Sequence, residues 1–358
     1  MADTPPIAMV LSAIPVEYQA MQAHLLYRRE EPHPAGTIFT VGSLPNSRWQ
    51  VMLAEVGTGN SQAAILTERA IRYFRPDLVM FVGIAGRLHS DLRRGDVVVA
   101  TKIYAIHGGK EGKTGFRPRP ESWQSDHTCD QKARRVAAQD TWKDLLSGWS
   151  RSPATVHFRP IASGEVVLDA QESELKRRLD RDYEDAAVIE MEGAGVARAC
   201  DLNRVPMMNI RGVSDYAAGR KESTDRAGWQ RRAARNAAAF AVTLLAELPA
   251  MRRAPDPEVA DEVERELLSG TTDEQLAAIA ALATGHHVDV VPLLVKAFNV
   301  ILDPDVSCRI IWALAELGTV AARNALQALK PRYPIEELLI REALDAWPEL
   351  PNQGDALP

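Results

Sequence analysis

The sequence predicts an α/β domain with a mixed central sheet flanked by helices, followed by an all-α region. Up to about residue 248, short apolar runs rich in β-branched residues alternate with helical patterns. A segment rich in proline and arginine follows at 249–257, and only helical patterns lie beyond it. The chain has 358 residues, which is longer than a single core usually grows. We therefore expect a first domain at 1–248, a linker at 249–257, a second domain at 258–350 and a tail at 351–358.

The first domain alternates strands and helices, and this order is typical of a mixed or parallel sheet covered by helices. Strands are predicted at Ile7–Ala13, Val51–Val56, Leu78–Ile84, Val97–Thr101, Val156–Ala162, Ala187–Met191 and Pro206–Arg211. Helices are predicted at Pro15–Leu26, Ser61–Phe74, Ser173–Leu179, Gly193–Asp201 and Ala227–Leu248.

The second domain contains short amphipathic helical patterns that follow one another in pairs. Such pairs resemble HEAT-like repeats, whose apolar faces bury one another, although a plain helical bundle is an alternative. No catalytic constellation is visible here, so a surface for a protein partner or for oligomerisation is expected. The six predicted helices are Glu258–Leu268, Thr272–Thr284, Val288–Leu302, Asp305–Leu317, Val320–Leu329 and Ile335–Ala346.

Composition narrows the classes of function. A net charge of -6 gives no reason to expect nucleic acid as a partner. No apolar run reaches the ~20 residues of a membrane helix, and the N-terminus lacks the basic start of a signal peptide. Cys129, Cys200 and Cys308 show no metal-ligand spacing, which suits reduced thiols in the cytoplasm. We expect neither a metal nor a cofactor.

Acidic residues follow the predicted strands of the first domain. Glu192 follows the strand at 187–191, and Asp215 lies just beyond the strand at 206–211. Glu17 falls in the first turn of a predicted helix, where the helix dipole favours an acid and a capping role is the simplest alternative. Glycines and small polar residues end three further strands. Because ligands bind at the carboxyl ends of strands in α/β sheets, these loops predict a pocket.

The order of these motifs resembles the nucleoside phosphorylase and nucleosidase superfamily. Within it, the chain is most similar to the methylthioadenosine/S-adenosylhomocysteine nucleosidases, from about Ile7 to Leu248. The resemblance implies a nucleoside phosphorylase-like fold for that region. It rests on the motifs Ala13–Glu17, Val82–Gly86, Leu92–Val99, Ser163-Gly164, Glu190-Met191-Glu192 and Arg211–Asp215.

The resemblance also implies roles for the candidate residues. Asp215 would hydrogen-bond or protonate the purine, Glu192 would hold the ribose hydroxyls, and Glu17 would activate the attacking water. These are general acid and base roles of the kind needed to cleave an N-glycosidic bond. Met191 would lie against the ribose, and the backbone at Val167 and Leu168 would pair with the base. The candidate substrate-binding set is completed by Ser214, Ile84 and Gly86.

Hydrolysis is favoured over phosphorolysis. Phosphorylases of this superfamily hold phosphate with arginines, whose forked donors suit a doubly charged oxyanion. The corresponding stretches at 12–17 and 81–86 contain no arginine, and Glu17 would repel phosphate. Two departures concern the substrate: Ile84 stands where the family usually has a hydroxyl, and Val167 stands where an aromatic ring usually stacks on adenine.

The segment from Tyr104 to Pro120 is rich in glycine and strongly basic. Its cations and exposed backbone amides would suit phosphates at the 5′ side of the sugar, and an exposed loop with solvated charges is the alternative. Arg220 and Lys221 could join the same cluster. The candidate phosphate contacts are Lys110, Lys113, Arg117 and Arg119.

Together these features predict a purine nucleoside or nucleotide N-glycosidase that releases the base, with adenine favoured, water as nucleophile and a homo-oligomeric state. Fusion to a helical repeat resembles bacterial defence effectors that degrade nucleotides such as ATP. A housekeeping methylthioadenosine/S-adenosylhomocysteine nucleosidase is the first alternative. A phosphorylase and a non-catalytic nucleotide-sensing module are the others.

Overall fold

The computed structural model describes residues 5–113, 115–146, 154–170, 172–216, 228–249, 257–284, 290–317 and 320–346. The chain divides into two compact units, Pro5–Arg253 and Ala254–Pro358. The described elements of the first unit are strands and helices, and those of the second are helices.

The described part of the first unit contains twelve strands and six α-helices. The strands are β1 (Ile7–Ser12), β2 (Leu26–Pro32), β3 (Ile38–Ser43), β4 (Gln50–Glu55), β5 (Leu78–Arg87), β6 (Val97–Ala105), β7 (Gly109–Gly112), β8 (Gly115–Pro118), β9 (Glu121–Gln124), β10 (Val156–Ser163), β11 (Val188–Glu190) and β12 (Met207–Asp215). The helices are α1 (Pro15–Gln22), α2 (Asn60–Phe74), α3 (His127–Gln139), α4 (Glu174–Asp182), α5 (Gly193–Leu202) and α6 (Trp229–Glu247).

A single large sheet forms the centre of the first unit, in the order β11-β10-β6-β12-β5-β1-β4-β3-β2, with β9 paired to β6. β4, β1, β5 and β12 run parallel, whereas β6 runs antiparallel to β12. β11 also pairs with β5, so β5, β12, β6, β10 and β11 close into a ring. This arrangement confirms the predicted mixed sheet flanked by helices.

Ring closure changes how the strand-end loops meet. β10 runs parallel to β6, and β11 pairs antiparallel with β5, so neither runs in the direction of β5 and β12. Their loops nevertheless reach the site, because β11 runs back along the end of β5. Val188 pairs with Arg87, and Ile189 pairs with Gly86. The loops therefore converge around β5 rather than along one edge of a parallel sheet.

Helices cover both faces of the sheet with separate apolar layers. On one face, α1, α3 and α6 pack on the strands around the buried rings of Trp142 and Phe240, which meet edge to face. On the other face, α2 and α5 pack through small residues such as Ala63 and Ala197. These layers fix the strand ends that carry the candidate site.

The structure contains elements that periodicity did not predict. β2 and β3 extend the sheet at its end, but β2 carries the sequence Leu-Tyr-Arg-Arg-Glu-Glu-Pro, which has no apolar face. The basic segment that is predicted to contact phosphates contains a two-stranded hairpin of β7 and β8, which the sequence did not predict. Helix α3 and a short 3-10 helix at Thr141–Leu146 were also missed.

The second unit has six described helices around one apolar cluster that includes Leu294, Phe298 and Ile310. Their bounds lie within about two residues of most of the predicted ones. They are α7 (Pro257–Ser269), α8 (Thr272–Thr284), α9 (Val290–Val300), α10 (Pro304–Leu317), α11 (Val320–Ala328) and α12 (Pro334–Asp345). Among the residues that the structure describes, no helix has the length and apolar character to cross a membrane.

Candidate active site

The end of β5 is the element around which the candidate acids gather. Ile84 donates its backbone N–H to Glu17 at 2.7 Å. The next residue, Ala85, accepts a hydrogen bond from the Ser214 hydroxyl at 3.3 Å. Gly86 then pairs with Asp215 in the ladder between β5 and β12. Three successive residues of β5 thus contact the segments that carry Glu17, the acid predicted to activate water, and Asp215, the acid predicted to contact the base.

Glu17 is buried in the first turn of α1, with 3 % of its surface exposed. Pro15 begins this helix, and Glu17 returns to its start, where one carboxylate oxygen accepts the N–H groups of Ala13 at 2.7 Å and Ile14 at 3.2 Å. The other oxygen accepts from Ile84. Burial raises the pKa of Glu17 above its ordinary value, although Arg211 and the three amides oppose this. A carboxyl group with a raised pKa is suited to take a proton from water near neutral pH.

Arg211 is the buried cation of the site, and none of its surface is exposed. One of its nitrogens bonds to Glu190, and another lies 4.0 Å from Glu17. Its guanidinium carbon lies 3.9 Å from the centroid of the Phe81 ring. A side-chain carbon at Gly83 would collide with both Arg211 and Glu17, so glycine is required where β5 passes them.

The sequence Glu190-Met191-Glu192 orients its two acids differently. Glu190 turns inward and accepts the backbone N–H groups of Glu192 at 3.1 Å and Gly193 at 2.8 Å. Glu192 accepts from the backbone of Gly59 at 3.1 Å and of Met191 at 3.3 Å. Burial and the neighbouring charge of Glu190 raise the pKa of Glu192 to about 7. Glu192 therefore exchanges a proton readily near neutral pH.

Asn60 joins three loops beside Glu192, a role that sequence reasoning missed. Its side-chain oxygen accepts from the Ser163 hydroxyl and from the Gly195 N–H, each at 2.9 Å. Its amide nitrogen donates to the Gly164 carbonyl at 2.7 Å. The only sequence signal was its place directly after the small-residue turn that contains Gly59. Asn60 thereby fixes the predicted ribose side of the pocket.

Asp215 ends β12 in an irregular stretch of the ladder. Val213 pairs with Ala85 and Asp215 pairs with Gly86, so Ser214 is an extra residue, as in a β-bulge. The Ser214 hydroxyl also donates to the Asp215 carboxylate at 2.7 Å. Asp215 is half-buried, in contrast to the fully covered Glu17. Bulges of this kind redirect a side chain next to a site.

The candidate base-binding residues lie in the loop after β10. Leu168 is buried in a small apolar cluster with Ile106 and Tyr183. The Val167 side chain is half exposed, at 48 %. Met191 is partly buried between the two acids of its motif. Their contacts with a base or a sugar remain predictions.

The candidate phosphate contacts lie on or directly after the β7–β8 hairpin. Lys110 and Arg117 face each other across its ladder, and Lys113 and Arg119 are exposed nearby. At the base of the hairpin, the His107 ring accepts the Glu165 N–H at 2.9 Å, two residues before Val167. The hairpin is thus tied to the predicted base-binding loop. Arg220 and Lys221 lie outside the described residues.

A metal centre finds no support in the side chains that the structure places. Within the described ranges, no group of three or more His, Cys, Asp or Glu residues could hold an ion. His286 and His287 lie outside those ranges. The chemistry available in the described pocket is that of carboxyl groups, one buried guanidinium and backbone amides.

Comparison with known proteins agrees with this geometry. The phosphorylase superfamily model matches residues 7–246, so the chain belongs to that superfamily. A 5′-methylthioadenosine/S-adenosylhomocysteine nucleosidase of Staphylococcus aureus is 26 % identical over 178 residues, covering 48 % of this chain and 72 % of the relative. The corresponding nucleosidase of Staphylococcus epidermidis is 26 % identical over 189 residues, which cover 51 % of this chain and 75 % of the relative.

Solved structures show the same fold. The nucleosidase of Neisseria meningitidis in complex with methylthio-immucillin-A is 24 % identical, with a TM-score of 0.58, over 68 % of this chain and 99 % of its own. The futalosine hydrolase of Helicobacter pylori is 23 % identical, with a TM-score of 0.58, over 68 % and 99 %. The enzyme class that these relatives share is that of the N-glycosyl hydrolases.

Proposed function

We propose that this chain hydrolyses the N-glycosidic bond of a purine nucleoside or nucleotide and releases the base, with adenine favoured. The observation that carries the proposal is the placement of Glu17 and Asp215 at neighbouring residues of one strand end. Glu17 reaches Ile84, and Asp215 pairs with Gly86. Two carboxyl groups held on one scaffold suit a reaction that needs a base for water and an acid for the leaving group.

In the proposed reaction, Asp215 donates a hydrogen bond or a proton to the departing purine while positive charge develops on the sugar. Glu192 holds the ribose hydroxyls, with Met191 against the sugar. Glu17 takes a proton from the attacking water, whose oxygen forms the new bond to the anomeric carbon. Glu17 then releases its proton to solvent, Asp215 regains from solvent any proton that it gave to the base, and the free sugar and base leave. The chain needs no cofactor for these steps.

Water is favoured over phosphate by the charges around Glu17. Arg211 places a guanidinium nitrogen 4.0 Å from Glu17, but another of its nitrogens bonds to Glu190. Two carboxyl groups therefore surround one cation, and a phosphate dianion would meet a site that is not positive. This balance supports hydrolysis over the alternative of a phosphorylase.

A nucleotide such as ATP is the substrate that we favour over methylthioadenosine and S-adenosylhomocysteine. The support is the pair of cations that face each other on the β7–β8 hairpin. Lys110 lies directly opposite Arg117, and like charges in that position destabilise a hairpin. Bound phosphates would relieve that repulsion through charge-assisted hydrogen bonds. Methylthioadenosine carries no charge that these cations could bind, and S-adenosylhomocysteine carries one carboxylate, whereas ATP carries several negative charges.

The remaining features extend the proposal beyond the reaction. We propose that the second unit is a HEAT-like repeat that binds a protein partner and that the chain is a nucleotide-degrading defence effector. The fused helical unit is the support for both. The exposed side chains of Ile65 and Leu202, on the mutually packed helices α2 and α5, support a homo-oligomer. The three cysteines, none of which forms a disulfide among the described residues, support a reducing, cytoplasmic location.

Product analysis tests the proposal. The full chain is incubated with ATP, AMP, adenosine, methylthioadenosine and S-adenosylhomocysteine, and the products are separated by chromatography. Adenine released fastest from ATP or AMP supports the nucleotide proposal. A preference for the two thio-compounds selects the housekeeping alternative. No base released from any of the five contradicts purine hydrolysis and favours the sensing module.

A further inference from the structure

Arginine and aromatic side chains gather around the residue that follows Asp215. Among the described residues, four cation–π contacts fall on this one group. We call the group the aromatic–guanidinium stack, and its members are Arg87, Arg94, Tyr216, Trp229 and Arg232.

Tyr216 and Trp229 are the two rings of the stack. The guanidinium carbon of Arg87 lies 3.6 Å from the centroid of Tyr216, and that of Arg94 lies 4.7 Å from the same centroid. Arg94 also lies 4.5 Å from the ring of Trp229, which Arg232 approaches at 5.1 Å. A guanidinium at these distances over an aromatic face is attracted by the negative charge of the ring face.

The two arginines that contact the Tyr216 ring, Arg87 and Arg94, belong to segments that are held by hydrogen bonds. Arg87 follows Gly86, the ladder partner of Asp215, and donates to the Leu92 carbonyl at 2.6 Å. Arg94 belongs to a turn that bonds to the end of β12. In that turn the Gly95 N–H donates to the Val213 carbonyl at 2.8 Å.

The rest of the turn is equally fixed. The Val213 N–H donates to the Asp96 carbonyl at 2.8 Å, and the Asp96 carboxylate accepts the Arg93 N–H at 2.9 Å. The buried Nε of Arg94 has no hydrogen-bond partner among the residues described, so the aromatic rings are the contacts found for this guanidinium.

The end of β12 needs such support because its ladder is irregular. The extra residue at Ser214 shifts the register between Val213 and Asp215. A bulge leaves one residue without its regular ladder bonds and redirects the side chain beside it, here that of Asp215, whose carboxylate also accepts from the Ser214 hydroxyl at 2.7 Å. The bulge precedes Asp215, and the stacked ring of Tyr216 follows it.

We propose that the aromatic–guanidinium stack is a positioning device that fixes the direction of the Asp215 carboxyl group. The inference rests on the proposed function, because it assigns Asp215 to the leaving base. Tyr216 and the arginines are positioning residues, and they act through Asp215 rather than on the substrate. The ring of Tyr216 carries the effect, and its hydroxyl does not.

The experiment compares variants of the full chain with ATP and with methylthioadenosine as substrates. Tyr216→Leu removes the ring, Tyr216→Phe keeps it, and Arg94→Leu removes a guanidinium from the other side of the contact. Phe158→Leu serves as a control, since it removes a cation–π contact with Arg134 away from Asp215. Kcat, KM and the melting temperature are measured for each variant.

Tyr216→Leu and Arg94→Leu should lower kcat about 10- to 100-fold, because a small misplacement of a reacting group has effects of that size. KM should stay within about threefold, and Tyr216→Phe and Phe158→Leu should keep kcat within the same factor. Should Tyr216→Leu fail to fold, Arg94→Leu decides the question alone.

Five results would overturn the inference. An unchanged kcat in Arg94→Leu removes the role of the guanidinium, and equal losses in Tyr216→Phe and Tyr216→Leu assign the effect to the hydroxyl. A rise in KM with unchanged kcat assigns Tyr216 to direct substrate contact. If Asp215→Asn is inactive while the stack variants are fully active, the inference fails and the proposed function stands. A wild-type chain that releases no base from ATP, AMP, adenosine, methylthioadenosine or S-adenosylhomocysteine removes both the inference and the proposed function.

Discussion

The interior of the candidate site and the β7–β8 hairpin hold their charges in opposite ways. Inside, each acid has fixed partners: Glu17 accepts three backbone amides, Glu192 accepts two, and Glu190 adds Arg211 to its own two. On the hairpin, Lys110 and Arg117 are exposed and face each other. Buried charges require such partners, whereas exposed charges are screened by water and salt.

This difference suggests that the interior of the site determines the reaction and that the hairpin determines which substrates bind. Interior charges are held by partners from several strands and loops, so they determine the reaction that the pocket performs. The hairpin charges are exposed, so they can be changed at small cost to stability and can select for a charged substrate. Variants in the interior should therefore affect every substrate, and variants on the hairpin should affect only charged ones.

The largest expected effect is that of Asp215→Asn. The change keeps the size of the side chain but removes the proton donor to the base, so kcat should fall about 10²- to 10⁴-fold for nucleosides and nucleotides alike. Release of adenine, followed by chromatography, measures it. Asp201→Asn, at an exposed position near the end of α5, is the matched control. Activity of Asp215→Asn within about threefold of wild type would remove Asp215 from the reaction.

Glu17→Gln should come next, with a loss of about 10²-fold or more. Glu17 acts as a base only when it is deprotonated, so the wild-type kcat should rise with pH through the raised pKa of this group. That rise should disappear in Glu17→Gln. The pH dependence of kcat checks the prediction, and a rise that persists unchanged in the variant would assign it to another group.

The hairpin should produce a smaller and selective effect. Reversing Lys110 and Arg117 together to glutamate should lower kcat/KM for ATP about 10- to 100-fold, since a hydrogen bond to a charged group is worth ~1.5–3 kcal/mol. The value for adenosine should stay within about twofold. Reversal of Arg28 and Arg29, exposed on β2 at the far end of the sheet order, controls for net charge. Equal losses for ATP and adenosine would contradict a phosphate role.

The smallest expected effect concerns stability and Glu192. Burial favours its protonated form, so its raised pKa contributes stability at low pH that is lost as pH rises through about 7. Glu192→Gln stays neutral at every pH. The melting temperature of the variant minus that of wild type should therefore rise by roughly 5 °C between pH 5 and pH 8. Melting curves across this range test it. A difference that is constant with pH would mean that Glu192 ionises freely.

The sequence predicted the alternating elements and the acids at strand ends because both leave local patterns. β-Branched runs at 78–84 and 97–101 lie in buried strands. Glu192 follows β11, and Asp215 is the last residue of β12, which is longer than predicted. The roles proposed for these acids come from the resemblance between the order of motifs in this sequence and that in the superfamily. β2 escaped prediction because its charged residues give it no buried face.

Long-range geometry could not be predicted from spacing. In Glu190-Met191-Glu192, nothing local reveals which acid bonds to Arg211, because Arg211 comes from another strand. The closure of the ring between β11 and β5, and the bulge at Ser214, depend on strand pairing. The contact of Arg87 with Tyr216 joins residues far apart in the chain. Tertiary contacts decide such features.

The identity of the sugar product tests the central claim most directly. The full chain is incubated with adenosine and with ATP in a buffer that contains phosphate, and the sugar released is analysed by mass spectrometry. Because Glu17 and Glu190 surround the buried Arg211, the account predicts free ribose or its 5′-triphosphate, formed at the same rate without phosphate. A sugar 1-phosphate, or base release that requires phosphate, would contradict it.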